Sequence, residues 1–362
     1  MYGLAGIVTF VAVLIVGAMC WPQDSPSRTT PATPTRPPAA SNAPGGQQGP
    51  ATYTLADLGV TLAYARENAN GIGTLVLEAP DGRTVDVNAV RGIFTGIAWS
   101  PDGQQIAVSY GPSPTQQDVY VVSVSDGSIA QVTRDGHSRR PTWSPDGQAL
   151  AFSNSPDGTQ GHGPVAKAPV GGGPATPLSK NPADDNPAWA PDGETIAVSR
   201  EPGSTILISA TTGEDTRRID WLHDSAPTYS SFVWSGDGTA IAGVIRRGTD
   251  LAVVVVGDGL TSQRQVGGAF LGNPADPASI HPSFVPGFPK LIAASATTGD
   301  LVLLDLSATP ADAPSTEPYA PVQVIVPAPR GAKLTFPSVR TPRPTGRPGS
   351  LVSFPFTTEF TP

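Results

Sequence analysis

The chain has 362 residues, with 22 Lys+Arg against 30 Asp+Glu, a net charge of −8 and only 14% charged side chains, where an ordinary globular protein has about 25%. Its 40 Gly and 41 Pro oversupply turns and strand ends, which excludes helical bundles, coiled coils and helical solenoids as the main architecture. The acidic balance excludes a nucleic-acid partner, which needs a basic face. The four lysines, Lys167, Lys180, Lys290 and Lys333, form no polybasic membrane patch, and the lone Cys20 rules out an intrachain disulfide.

In chain order, residues 1–21 come first. Met1 to Gln23 carries no charge, and Tyr2 to Trp21 supplies an apolar run with aromatics at both ends, the roughly 20 residues that a membrane-spanning helix needs. Three readings fit: an uncleaved transmembrane anchor, a lipoprotein signal in which Cys20 is lipidated, or an ordinary cleaved signal. Gly17-Ala18-Met19-Cys20 resembles a lipoprotein cleavage box, although Met19 stands where a small residue is wanted and Gly17 where an aliphatic one is. Residues 22–50 hold eight prolines mixed with Thr, Ser, Ala and Gly. They cannot bury enough apolar surface to offset their ordering entropy, so they read as a disordered linker. Arg28 and Arg36 follow the apolar run and nothing basic precedes it, which runs against an outward orientation. The exported-stalk composition of the linker favours one, so the body is expected to be membrane-anchored and extracytoplasmic.

Residues 51–357 repeat. The phrase Trp99-Ser100-Pro101-Asp102-Gly103 returns at Trp143, Trp189 and Trp234, with steps of 44, 46 and 45 residues. Each copy is followed by an apolar run, Ile106-Ala107-Val108, Leu150-Ala151-Phe152, Ile196-Ala197-Val198 and Ile241-Ala242-Gly243-Val244, and then by two further strand-like runs. Four short strands about every 45 residues, joined by tight turns, are the signature of a β-propeller blade. Degenerate copies start at Leu55 and Phe284, and a half unit starts at Lys333-Leu334-Thr335-Phe336 and resumes at Leu351 to Phe354. The expectation is an all-β, six-bladed propeller closed by a C-terminal strand pairing into the first blade; a thin seventh blade is the alternative. Residues 358–362 are a tail.

The repeated W-S-P-D-G and I-A-[FV]-S phrases resemble the TolB-like, or PD40, propeller family, a WD40-like group, over roughly Thr52 to Phe356. The resemblance implies the fold and little about activity. The family includes a periplasmic component of a cell-envelope complex, actinobacterial lipoproteins and the propeller domains of prolyl-oligopeptidase-like enzymes. This chain departs from the first of these by lacking an extra N-terminal α/β domain.

Asp102, Asp146, Asp192 and Asp237 read as turn residues rather than metal ligands, because Pro presets φ, Asp caps the turn and Gly takes the positive φ. The tryptophans read as packing between blades. The segments leading into each Trp vary in chemistry while the frame does not. Arg139, Arg140, Asp184, Asp185, Asn186, Ser230 and His281 therefore form the candidate binding residues at one mouth of the channel. Arg140 and Asp185, on neighbouring blades, are expected to pair across a solvated rim, worth only ~0–1 kcal/mol. No G-x-S-x-G elbow, H-E-x-x-H pair or P-loop occurs, and the four His residues lie in separate units. His162 reads as a loop-tip residue.

These readings favour a non-catalytic, monomeric, membrane-tethered module that binds a protein or peptide at the cell envelope, with no catalytic residue, cofactor or metal. The alternatives are a regulator sensing a small polar ligand at the channel mouth and, behind it, a channel-based hydrolase or lyase.

Overall fold

The computed structural model describes residues 55–155, 163–200, 204–219, 232–247, 250–257, 260, 262–266, 281–286, 288–295, 298–305, 322–326, 330 and 333–340. The anchor or signal at 1–21 with Cys20, the linker at 22–50, His162, Ser230, the strand expected at Leu351 to Phe354 and the tail at 358–362 lie outside them. No helix among the described residues is long and apolar enough to cross a membrane.

A single-turn helix α1 (Leu55–Leu58) opens the described chain, and every later regular element among the described residues is a strand. In order these are β1 (Thr61–Glu67), β2 (Gly73–Glu78), β3 (Thr84–Trp99), β4 (Gln105–Ser113), β5 (Gln116–Ser123), β6 (Ile129–Gln131), β7 (Ser138–Trp143) and β8 (Ala149–Asn154). Then follow β9 (Val165–Pro169), β10 (Thr176–Pro177), β11 (Asp184–Trp189), β12 (Thr195–Arg200), β13 (Ser204–Ser209), β14 (Asp215–Ile219), β15 (Val233–Trp234) and β16 (Ile241–Arg247). The last are β17 (Asp250–Gly257), β18 (Ser262–Val266), β19 (Ser283–Val285), β20 (Phe288–Ser295), β21 (Leu301–Asp305), β22 (Val322–Val326) and β23 (Lys333–Arg340).

Four sheets have four strands each, and a fifth has seven in the order β23-β1-β2-β3-β4-β5-β6. The long β3 changes partner midway: its first part, through Gly92, pairs with β2, and Ile93 to Trp99 pair with β4. The seven-stranded sheet is thus two blades sharing one strand, and the described strands fall into six antiparallel groups of four. The innermost strand of the first blade is β23, paired antiparallel to β1 from Thr61↔Arg340 to Glu67↔Lys333. Joining the two ends of the chain in one blade removes the open sheet edges. β23 is the C-terminal strand expected to pair into the first blade, whereas Leu55, where the first degenerate copy starts, is not on a strand. Instead Leu55 and Leu58, one turn apart on α1, bury against Val285, Leu301 and Leu334.

The packing explains the I-A-V repeat. Side chains alternate across a strand, so Ile106 and Val108 face the preceding blade while Ala107 faces the following one. Leu150 and Phe152 against Ala151, and Ile196 and Val198 against Ala197, divide in the same way. The large residues fill one interface, and the small Ala lets the next blade approach. Six hydrophobic clusters, each shared between successive blades, run round the ring, and the one containing Leu62, Tyr64 and Leu303 joins the sixth blade to the first. Phe152, fully buried, represents about 1.5–3 kcal/mol of such burial.

Candidate functional site: the central channel

The inner strands enclose a channel of about 730 Å³ to which β3, β7, β11, β15, β19 and β23 all contribute wall residues. Trp99, Trp143, Trp189 and Trp234 line it and also lock the wall together. Trp143 Nε1 donates to Ala98 O at 3.0 Å, Trp234 Nε1 to Ala188 O at 3.1 Å and Trp99 Nε1 to Ser338 O at 2.9 Å, each on the inner strand of the preceding blade. Trp189 departs from this pattern. Its indole donates to Gly193 O at 3.2 Å, and its main-chain N–H donates to Thr142 Oγ1 at 3.1 Å.

One end of the channel is ringed by the Pro-Asp-Gly turns. Asp102, Asp146 and Asp237 each accept the preceding Ser hydroxyl at 2.6 Å and a main-chain N–H at 3.0 Å. Asp192 accepts the Glu194 and Thr195 N–H groups. The glycines that follow take positive φ, from 68° at Gly103 to 77° at Gly193. The carboxylates are used as turn caps, as the sequence implied.

The other end is built on a recurring bulge three residues before Trp. Arg140 has φ 53° and Asn186 φ 50°, and the ladders to β8 and β12 slip there, between Arg139 and Thr142 and between Asp185 and Ala188. The Ser that closes each I-A-V-S or L-A-F-S run of the preceding blade catches the displaced amide. Arg140 N–H donates to Ser109 Oγ and Asn186 N–H to Ser153 Oγ, both at 3.0 Å. At the equivalent place on β3 stands Gly96, where a Cβ would come within 2.9 Å of Arg140 Cα.

A buried ion pair stands at this end. Arg140 Nη1 donates to Asp185 Oδ2 at 2.6 Å across the blade boundary, with the two side chains 14% and 1% exposed. The pair is therefore buried rather than set on a solvated rim, and the small stability assigned to it from the sequence does not apply. Arg139 beside it is 4% exposed, and neither its Nε nor its Nη2 has a hydrogen-bond acceptor among the described residues. Burial holds this guanidinium below its usual range, Arg140 adds to that, and Asp185 opposes it.

Residues 40–222, just over half of the chain, match the TolB beta propeller domain, PD40. The chain belongs to the TolB β-propeller family. No curated protein matches the sequence of this PD40 propeller. Among solved structures it is similar to TolB from Acinetobacter baumannii, at 16% identity and a TM-score of 0.59, over 77% of this chain and 66% of that one. The chain thus spans slightly less than two thirds of that TolB. It is also similar to a protein described as a TolB from Agrobacterium tumefaciens, at 17% identity and a TM-score of 0.50, over 78% of this chain and 98% of that one. A chain of a nidogen/laminin complex aligns at 10% identity and a TM-score of 0.54, over 77% of this chain and 98% of that one. Likeness at such identities is a likeness of fold.

Of the mouth residues picked out by sequence, Arg140, Asn186 and His281 line the channel of the PD40 propeller. Asp185 stands behind Arg140 as its ion-pair partner. Asn186 also donates through Nδ2 to Ser199 Oγ at 3.2 Å. Arg139 is not part of the channel wall. Asp184 is not either: alternation along β11 turns it away from Asp185, and Arg200 holds it through Nε at 2.5 Å and Nη2 at 3.0 Å. Burial pushes the Asp184 carboxyl up against the opposing pull of Arg200, while the hydrogen bonds that Arg200 donates to Asp215 and Asp184 push its guanidinium up. Sequence reasoning missed Arg200. The signal lay one residue past the I-A-V-S run, where the other blades carry Tyr110 and Asn154. Arg340, at the end of β23, is a further channel residue that the repeat did not mark.

Proposed function

We propose that this propeller is a non-catalytic binding module, held at the extracytoplasmic side of a membrane by its N-terminal segment, and that the Arg140 end of the channel engages a protein or peptide partner. The observation that carries this reading is a wide channel whose wall is fixed by inter-blade hydrogen bonds and whose Arg140 end holds a buried ion pair. A rigid frame with a variable mouth suits recognition. The ionisable side chains in the described channel wall, Arg140, Asp237, His281 and Arg340, come from four different blades, an arrangement that supports binding over a nucleophile and base acting together. The propeller-like chain of the nidogen/laminin complex is a precedent for this fold in a protein–protein assembly.

The test is capture by cross-linking and pull-down of the full, tethered chain, compared with the double variant Arg140→Ala, Asp185→Ala. Loss of the captured partner in the variant supports the reading, and undiminished capture removes the mouth from it. A channel of about 730 Å³ also falls within the ~300–1,000 Å³ of small-molecule pockets, so a small polar ligand sensed at the same mouth is the second reading.

A further inference from the structure

We propose that the interface between the third and fourth blades holds a small monovalent anion, a halide such as chloride, gripped by the Arg139 guanidinium and the Ser153 hydroxyl. The inference goes beyond the reading of the channel mouth and does not depend on it.

Three successive blades place the residue four before Trp beside the serine that closes the I-A-V-S or L-A-F-S run. In the second blade the two are Thr95 and Ser109, whose hydroxyls hydrogen-bond at 2.9 Å. In the fourth they are Asp185 and Ser199, and the Ser199 hydroxyl donates to the Asp185 main-chain O at 3.1 Å. In the third they are Arg139 and Ser153, direct partners in the β7–β8 ladder. Here the match fails. Ser153 Oγ accepts the Asn186 N–H at 3.0 Å, and no described residue accepts its own proton. The Arg139 side chain is all donor and cannot do so. Its Nε and Nη2 in turn have no acceptor among the described residues, although Arg139 is only 4% exposed and Ser153 is fully buried.

Two sets of buried donors thus share one face with no acceptor to serve them. Paired residues of an antiparallel ladder carry their Cβ atoms about 4.5–5.5 Å apart, so one ion can reach both. The face is the one turned to the fourth blade, where Ser153 meets Asn186. A water molecule would accept these hydrogen bonds and leave the charge unanswered. An arginine cannot shed its proton, and a buried charge is costly unless it is paired as well as hydrogen-bonded. The Asp185 carboxylate of the same interface accepts from Arg140 and from neither of these two Arg139 nitrogens. An anion supplies both the acceptor and the charge. Neither Arg139 nor Ser153 belongs to the channel wall, so the ion sits within the blade interface and must be small. One guanidinium calls for one negative charge; the second charge of a sulfate or phosphate would itself be buried without a partner.

The test follows the melting temperature of the full chain in detergent, at equal ionic strength, in sodium gluconate, chloride and sulfate. Chloride should raise the wild type above gluconate by about 2 °C more than it raises Arg139→Met, and the rise should saturate, as binding to the folded state does. Arg139→Lys should keep part of it. Sulfate, which strengthens burial generally, should move wild type and Arg139→Met alike. Wild-type crystals grown in sodium bromide at the saturating concentration should show an anomalous peak between the Arg139 guanidinium and Ser153 Oγ.

An equal chloride rise in wild type and Arg139→Met overturns the proposal. So does density there without anomalous signal, which would be a water. A bromide peak that forms only far above the saturating concentration would be binding at crystal concentration only, and overturns it too. Should the Arg139 variants fail to fold, the bromide peak in the wild type decides alone.

Discussion

The Ser109 hydroxyl accepts the main-chain N–H of Arg140 at 3.0 Å, tying the second strand of one blade to the inner strand of the next. Ser153 repeats the device with Asn186, and both serines are fully buried. A buried N–H robbed of its acceptor costs about 1–3 kcal/mol. Ser109→Ala and Ser153→Ala should each lower unfolding stability by that amount in urea titrations. Ser109→Ala should be the more harmful, because Ser109 Oγ also meets Thr95 Oγ1 at 2.9 Å. Losses under ~0.5 kcal/mol, the range of a featureless surface substitution, would show that the inter-blade bond carries no weight.

Gly96 should resist substitution for a reason that its own conformation does not supply. An added Cβ would stand 2.9 Å from Arg140 Cα and 3.1 Å from Pro141 Cδ. Backbone and a proline ring cannot swing aside as a flexible side chain can. Gly96→Ala should therefore cost about 1–3 kcal/mol, as overpacking does, and should loosen the Arg140 bulge. Calorimetry of the variant checks this, and an unchanged melting temperature would contradict it.

The repeat told the fold because its residues serve the frame: Ile and Val against one neighbour, Ala against the other, Ser on the next blade's amide, Asp and Gly in the turn. The half unit at Lys333 also told which strand completes the first blade, but the copy at Leu55 misled. Leu55 stands one repeat before Trp99, yet it sits on α1 while β23, nearly three hundred residues on, provides the inner strand. The site was legible only in part. Spacing from Trp put Arg140, Asp185, Asn186 and His281 at one end. It could not tell that Asp184 points to Arg200, because facing depends on the bulge, and the bulge depends on a serine in another blade. Burial of the Arg140–Asp185 pair was likewise invisible, since it comes from neighbours distant in sequence.

Stability should peak in mild acid. Burial pushes the Glu78 and Asp184 carboxyls above their usual range, against opposing hydrogen bonds from Tyr64 and Arg200. For such groups the folded state holds the proton more tightly. Their contribution is complete below the unfolded pKa and is lost as pH rises through the folded one. Asp126, drawn down to about 2 by Ser123 and Ser128, and Asp146 and Asp237, lowered first by Ser144 and Ser235, act oppositely. Their contribution is present above the unfolded pKa and is lost as pH falls toward 2. Melting temperature should thus rise as pH falls from neutral toward the ordinary carboxylate range of about 4 and drop below it. Glu78→Gln, which keeps an acceptor for the Tyr64 hydroxyl 2.9 Å away, should flatten the rise and spare the fall.

Asp185 should matter more to stability than Arg140, although the two are partners. Removing either half of a buried ion pair normally costs about 3–5 kcal/mol, because the other half is left uncompensated. Here the two losses are unequal. Without Asp185, the Arg139 and Arg140 guanidiniums, which already disfavour each other's charge, face one another with no carboxylate between them. Without Arg140, Asp185 still has Arg139 at hand, a guanidinium whose Nε and Nη2 are unengaged among the described residues. Asp185→Ala should therefore cost the full ~3–5 kcal/mol and Arg140→Ala distinctly less. Arg139→Met added to Arg140→Ala should deepen the loss, because Asp185 then faces neither guanidinium. Urea unfolding of the three variants gives the ranking. If Arg140→Ala alone proves as damaging as Asp185→Ala, Arg139 does not share the carboxylate, and the two arginines do not act as one unit.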